Sequence, residues 1–336
     1  MKQKLFRYSA VLFFVILLLA WWLLRRQIEK EQTMQVMGTV AGVSFTGRPG
    51  AVPNAIAKVE TVFAEVQNEA NLYNPESELS RLNAQAANAP FACSEELYSL
   101  LKIARTAYEK SDGAFDITSK PLMDLWGFYR KRGKGKPAAE EISAVIQLVG
   151  LNKVQFNDEA RTIFFTVPGM ALDLGGIAKG YAVDRAFDAV SQTGVKTGVI
   201  NLGGNIRLLP EPKRGHEGYR IGIRNPLDPD SIAETLILNN CALATSGGYE
   251  RFVTYDGIQY PHIMDPRTGM PASGLLAVTV VALDAVSADW MGTAVFINGA
   301  TCAEKLAALY PGTKFYLYTQ SDAPEGYAVE IIPHAP

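Results

Sequence analysis

The chain has 336 residues, 48% of them hydrophobic, and its 32 Lys and Arg stand against 34 Asp and Glu for a net charge of −2. An apolar, nearly neutral chain of this kind is neither intrinsically disordered nor a strongly basic nucleic-acid binder, and a single long apolar run excludes a polytopic membrane protein. Three scattered cysteines (Cys93, Cys241, Cys302) with no CxxC pair, and three histidines, leave no disulfide framework and no Cys- or His-rich metal site.

Lys2, Lys4 and Arg7 precede an apolar run from Tyr8 to Leu24, which ends in Trp21, Trp22 and the pair Arg25–Arg26. At a helical rise of about 1.5 Å per residue the run reaches roughly 25 Å, near the lower limit for a bilayer. No small-residue cleavage site follows Leu24 and no lipoprotein Cys follows the run. The expectation is an uncleaved signal anchor over 1–26, with a cleaved leader as the alternative. The basic start puts the N-terminus in the cytoplasm and the body outside. Residues 27–36 read as a polar linker.

Ile56, Val59, Val62, Phe63 and Val66 have helical spacing within 51–70. A second helix is expected over 94–110, with Ser94 as N-cap and Glu95–Glu96 in its first turn. The basic stretch 130–137 (RKRGKGKP) reads as a solvated loop or as a patch for an anionic partner. Residues 153–157 and 162–167 alternate around a turn and predict a hairpin. A helix over 177–190, a strand at GVINLGG, β-rich stretches to about 282, helices near 287–298 and 301–310, and a final strand pair follow. This mixed order predicts an α+β fold with antiparallel pairing, not a doubly wound sheet.

Chemistry-bearing residues gather in short motifs. In Leu172-Asp173-Leu174-Gly175-Gly176-Ile177-Ala178-Lys179-Gly180 a strand end meets a double glycine and a helix start. Such a junction admits a close ligand and offers free N–H groups to an anion. It matches neither the P-loop nor the Rossmann pattern. Asp289 and Thr293 are four apart, on one helix face, and are hard oxygen donors suited to Mg²⁺. His262 is the one histidine embedded in a structured motif, His262-Ile263-Met264-Asp265-Pro266-Arg267-Thr268-Gly269. The stretches 72–83 and 112–128 combine turn residues with aromatics that suit a planar heterocycle. Each motif alone also has an ordinary explanation as a turn, a cap or dipole compensation.

Taken in order, these motifs resemble the ApbE family, the FAD:protein FMN transferases, from Met37-Gly38-Thr39 to about Phe296. The resemblance implies one compact catalytic unit over 37–333, similar to the T-fold. Family members often carry a lipoprotein Cys or a cleavable leader, and the uncleaved transmembrane anchor read from the apolar run departs from that pattern. It implies Mg²⁺-dependent transfer of FMN from FAD to a Thr hydroxyl of a target protein, with release of AMP. Carried over by motif, Met37, Tyr73, Ala114, Phe115, Asp116, Asp173, Lys179 and Ile263 are expected to line the FAD site. Gly176 through its carbonyl, Asp289 and Thr293 are expected to hold Mg²⁺, with His262 and Asp265 beside the pyrophosphate and His262 as base. The implied partners are redox-protein subunits bearing a Ser/Thr-Gly-Ala-Thr-like motif, and the implied location is the bacterial inner membrane with the body in the periplasm. An FAD-binding protein and an FAD pyrophosphatase are the alternatives.

Overall fold

The computed structural model describes residues 26–333, so the anchor expected over 1–26 lies almost wholly outside the described residues. Among those residues no helix is long and apolar enough to cross a membrane. The chain runs β1 (Ile28–Val36), β2 (Thr39–Gly47), α1 (Ala51–Ala70), α2 (Glu78–Gln85), β3 (Phe91–Ala92), α3 (Glu95–Lys110), α4 (Lys120–Trp126) and α5 (Ala139–Val145). Then come β4 (Val154–Asn157), β5 (Thr162–Phe165), α6 (Ala178–Ser191), β6 (Thr197–Leu202), β7 (Asn205–Leu208), β8 (Tyr219–Arg224), β9 (Ile232–Leu238) and β10 (Ala242–Gly247). It closes with β11 (Phe252–Tyr255), β12 (Ile258–Pro261), β13 (Met264–Asp265), β14 (Met270–Pro271), β15 (Ala277–Ala282), α7 (Ala285–Asn298), α8 (Ala300–Leu309), β16 (Lys314–Gln320) and β17 (Tyr327–Ile332).

The main sheet has eight strands in the order β1-β2-β6-β7-β10-β15-β16-β17, and its neighbours pair antiparallel. This mixed, antiparallel architecture is the α+β arrangement expected from the element order. Period two explains the apolar run at 276–282. Val278, Val280 and Ala282 face the main core with α7, while Ala277 and Val281 join a second cluster under the β8–β9 hairpin. β16 alternates in the same way, with Phe315 and Leu317 on one face and Tyr316 and Tyr318 on the other. Strands sandwiched on both faces read as continuous apolar sequence.

α6 lies between α1 and α7 and packs against both, and all three cover strands of the main sheet. The apolar stripe read for α1 is the buried one: Ile56, Val59, Val62, Phe63 and Val66 all face the core. Ser94 caps α3 by accepting from Leu97 N (3.1 Å), as its sequence predicts. The stretch 27–36 is not a linker. Residues 28–36 form β1, paired along its length with β2. It looks polar because it is an edge strand, and its Glu29, Lys30 and Glu31 are exposed.

One tight turn and one close approach set the site. The two-residue turn Met37–Gly38 takes φ of 51° and 70°, the left-handed pair that a tight hairpin needs, and puts Met37 at the end of β1. At the α6–α7 crossing, a Cβ on Gly180 would lie 2.4 Å from the Ala285 carbonyl oxygen and 2.8 Å from Asp289 Cβ. Gly180→Ala gains roughly 1 kcal/mol in helix propensity. It is nevertheless expected to lower unfolding stability by about 1–3 kcal/mol net, because the two helices must separate. Chemical denaturation of both proteins measures this, and an unchanged midpoint would contradict the packing argument.

Candidate active site

A cavity of about 600 Å³ opens where β2, α6, α7 and the 245–264 segment converge. That volume falls in the range of small-molecule and cofactor sites. Met37, Tyr73, Ala114, Phe115, Asp116, Asp173, Gly176, Lys179, His262, Ile263, Asp289 and Thr293 all line it. Residues far apart in sequence therefore meet at one place.

Local structure explains how each wall is held. Asn71 and Asn74 close Asx turns onto Tyr73 N (2.9 Å) and Glu76 N (3.0 Å), and Ser77 caps α2 through Ser80 N (3.0 Å). This holds Tyr73 out at the rim, 68% exposed. Asn83, on the same helix, exchanges two hydrogen bonds with the backbone of Leu172 (2.9 and 2.7 Å), which fixes the segment before Asp173. That segment is not the strand end expected from the sequence, since β5 stops at Phe165. After α3, Asp112 and Gly113 both adopt left-handed φ and turn the chain so that 114–116 becomes cavity wall. Asp116 accepts from Thr118 N (2.8 Å), Thr118 Oγ1 (2.7 Å) and Leu151 N (3.1 Å). Burial raises its pKa, and these bonds oppose that rise.

The glycine junction is tight rather than left-handed. A Cβ on Gly176 would lie 3.2 Å from the Phe115 ring and 3.5 Å from Thr293 Oγ1. Asp289 is buried, and its Oδ2 accepts from Gly180 N at 2.9 Å. Its Oδ1 lies 3.6 Å from Lys179 Nζ. Buried Asn205 completes the group. With its amide oriented to match donors to acceptors, its nitrogen donates to Asp289 Oδ1 (3.2 Å) and its oxygen accepts from Lys179 Nζ (3.3 Å). The Gly203–Gly204 turn, with φ of 57° and 90°, delivers Asn205 to the start of β7.

His262 lines the same cavity, within electrostatic reach of Lys179. Its Nδ1 is 3.1 Å from the Arg251 carbonyl oxygen. A carbonyl only accepts, so Nδ1 carries the proton and Nε2 keeps its lone pair. Burial pushes the imidazole pKa down to about 4, and the positive charges of Arg251 and Lys179 push the same way. His262 is therefore neutral at pH 7. Glu250, another lining carboxylate, is pushed up by burial.

Asp265 differs from its expected place, since it does not line the cavity. Arg267 takes its carboxylate in a bidentate pair, with Nε and Nη2 each at 2.9 Å. Asp265 also accepts from Arg267 N (2.9 Å) and its carbonyl accepts from Gly269 N (2.9 Å), so it ties the 265–269 turn. Sequence analysis missed Tyr129, Arg251, Asn205 and Glu250. Tyr129 donates to Asp173 and meets Tyr73 edge-on at 5.9 Å, and Arg251 donates to the Phe128 carbonyl (3.1 Å). The readable signals were a Tyr beside Trp126-Gly127-Phe128 and a buried-type Asn after a double-glycine turn.

The metal expectation can be weighed on these donors. Among the described residues no three His, Cys, Asp or Glu side chains gather as a metal cluster. One carboxylate, one hydroxyl and one carbonyl, all hard oxygens, suit Mg²⁺, which commonly takes one or two carboxylates and fills its shell with water and substrate phosphates.

Comparison with known proteins agrees with this geometry. The model of the ApbE family matches residues 37–317. An FAD:protein FMN transferase of Vibrio cholerae serotype O1 is 32% identical over 268 residues, covering 78% of this chain and 79% of that protein. One from Klebsiella pneumoniae is 36% identical over 225 residues, covering 66% and 68%. The crystal structure of the ApbE protein from Thermotoga maritima superposes with a TM-score of 0.82 at 30% identity, covering 90% of this chain and 96% of that one. The flavin transferase ApbE from Vibrio cholerae gives 0.78 at 28% identity, covering 91% and 97%. With the family match spanning most of its length and the fold shared across it, this chain belongs to the ApbE family.

Proposed function

We propose that the chain is an FAD:protein FMN transferase that moves FMN from FAD to a Thr hydroxyl of a target protein and releases AMP. The observation that carries this reading is a neutral, hydrogen-bonded His262 lining one cofactor-sized cavity together with Lys179, Asp289 and Thr293. Phe115, Tyr73 and Tyr129 offer aromatic surface for the flavin rings. Lys179 and the start of α6 supply positive charge for the pyrophosphate. His262 Nε2 accepts the Thr proton as the Thr oxygen attacks the FMN phosphorus. The new P–O bond forms in line while the P–O bond to AMP breaks, and AMP leaves with the electron pair. Asp289, Thr293 and the Gly176 carbonyl are the residues that would hold Mg²⁺, which supplies neutralisation of the phosphate charge. The T-fold likeness, the anchor at 1–26 and a periplasm-facing domain over 37–333 belong to the same proposal, supported by the family relationship and the apolar run. So does an acceptor with a Ser/Thr-Gly-Ala-Thr-like motif.

The direct test incubates the protein with FAD, Mg²⁺ and a Ser-Gly-Ala-Thr peptide, and follows flavin fluorescence on the peptide together with AMP. AMP with no labelled peptide indicates a pyrophosphatase, and FAD binding with no AMP indicates a binding protein.

Two substitutions separate chemistry from scaffold. His262→Asn is expected to slow transfer by about 10²–10⁴-fold while FAD affinity stays within a few-fold. Asp265→Asn is expected to cost about 1 kcal/mol of stability through the turn and to leave transfer at saturating FAD nearly unchanged. If the Asp265 variant loses transfer as severely as the His262 variant, Asp265 belongs to the chemistry after all.

The depressed His262 pKa gives a pH signature. The folded protein binds fewer protons here than the unfolded chain between about 4 and the ordinary 6.5. Stability from this group is therefore present above 6.5 and lost as pH falls toward 4. The base is free in the same window, so kcat/KM is expected to hold its plateau well below pH 6.5. NMR titration of the His262 ring in the free protein checks the assignment, and a midpoint near 6.5 would refute it.

A further inference from the structure

The basic stretch at 130–137 has no part in the chemistry above, yet it is built rather than loose. Arg132 points inward. Its Nε donates to the carbonyls of Lys134 (2.9 Å) and Gly135 (2.8 Å), its Nη1 to that of Leu125 (3.3 Å), and its Nη2 to Glu141 (2.5 Å). Pro137 is buried beside it. The loop thus folds around one guanidinium and turns the other four cations outward: Arg130, Lys131, Lys134 and Lys136 are all exposed. Glu141 is already matched, held below the usual carboxylate range by Arg132 with help from Lys134. Among the described residues no ion pair joins the four outward cations to an acid.

Position gives this charge a meaning. The loop starts one residue after Tyr129, which lines the cavity. Lys136 Nζ lies 5.3 Å over the ring of Tyr260, two residues before His262. Both ends are pinned by a small apolar cluster of Leu122, Met123, Trp126 and Ile142, against which Phe128 and Tyr260 pack. On the same side of the molecule, Tyr73 is 68% exposed beside Tyr129, and Phe252, next to cavity-lining Arg251, is 44% exposed. Exposed aromatics beside fixed cations are the composition of a protein-recognition surface.

We propose that this rim docks the acceptor protein through an acidic segment flanking its target hydroxyl. The proposal rests on the flavin-transfer reading, because only a transferase must bring a second protein to the mouth. An anionic lipid surface could satisfy the same charges, but a membrane pressed on this face would close the entrance the acceptor hydroxyl must use. Charges on an exposed rim act across about 10 Å at ordinary salt and chiefly raise the rate of encounter.

The test uses the full chain in uncharged detergent micelles, with and without the four substitutions Arg130→Gln, Lys131→Gln, Lys134→Gln and Lys136→Gln. Two labelled peptides share a Ser-Gly-Ala-Thr core, one flanked by four Glu and the other by four Gln. Binding is read by fluorescence anisotropy without FAD, and transfer by kcat/KM with FAD. The unsubstituted chain is expected to favour the Glu peptide by about tenfold in both measurements. About 0.5 M NaCl should erase the preference. The substituted chain should treat the peptides alike, with FAD affinity and melting temperature unchanged. No preference in the unsubstituted chain, or the same preference in both chains, overturns the proposal. So does a loss of FAD affinity on substitution, which would assign the loop to the flavin. Vesicles containing phosphatidylserine provide the lipid arm. Vesicle binding lost on substitution, with the peptide preference intact, assigns the loop to the membrane and also overturns it. If the Glu peptide binds preferentially but neither peptide receives flavin, docking stands and the flavin-transfer reading fails.

Discussion

Asp289 sets the terms for most of this molecule. A buried carboxylate is costly unless it is paired and hydrogen-bonded. Here three partners come from two elements: Lys179 and the Gly180 N–H on α6, and Asn205 on β7. Each partner imposes a demand. The Gly180 N–H reaches the carboxylate only because the absent side chain lets α6 and α7 touch. Asn205 arrives only because two glycines turn the chain between β6 and β7. Thr293, one turn along α7, then falls beside Gly176. Packing of the helical layer and construction of the site are thus one constraint.

The second organising feature is a balance of charge around His262. Lys179 and Arg251 both work against its protonation. A pyrophosphate bound between them would offset those charges and raise the proton affinity of the imidazole. With no such anion between them the imidazole stays unprotonated at neutral pH. Its tautomer needs no such adjustment, because the Arg251 carbonyl fixes the proton on Nδ1 in the free protein.

Much of this arrangement was legible in the sequence, and the limits are physical. Helices α1, α3 and α6 announced themselves because one face is apolar and the other is not. β15, buried on both faces, is apolar except at Thr279, and the sequence marked it only as part of a β-rich stretch. β1 was not legible, because an edge strand with exposed Glu29, Lys30 and Glu31 has the composition of a linker. Twelve expected lining residues meet at the cavity because their motifs carry turn chemistry as well as functional groups. Asp265 shared a motif with His262, yet Arg267 two residues on claims its carboxylate, a pairing that spacing alone does not reveal. Arg251 and Glu250 reach the site through tertiary packing with no local pattern to mark them, whereas Tyr129 and Asn205 carry only the weak signals of an aromatic-rich turn and a double glycine.

The two ends of the main sheet are unequal. β1 guards its open side with charge, whereas β17 presents Val329 and Ile331, 39% and 40% exposed, along the opposite open side. Unpaired backbone groups beside apolar side chains are a template for another strand. Among the described residues, an added strand would therefore find its template at β17, far in sequence from the motifs that build the cavity.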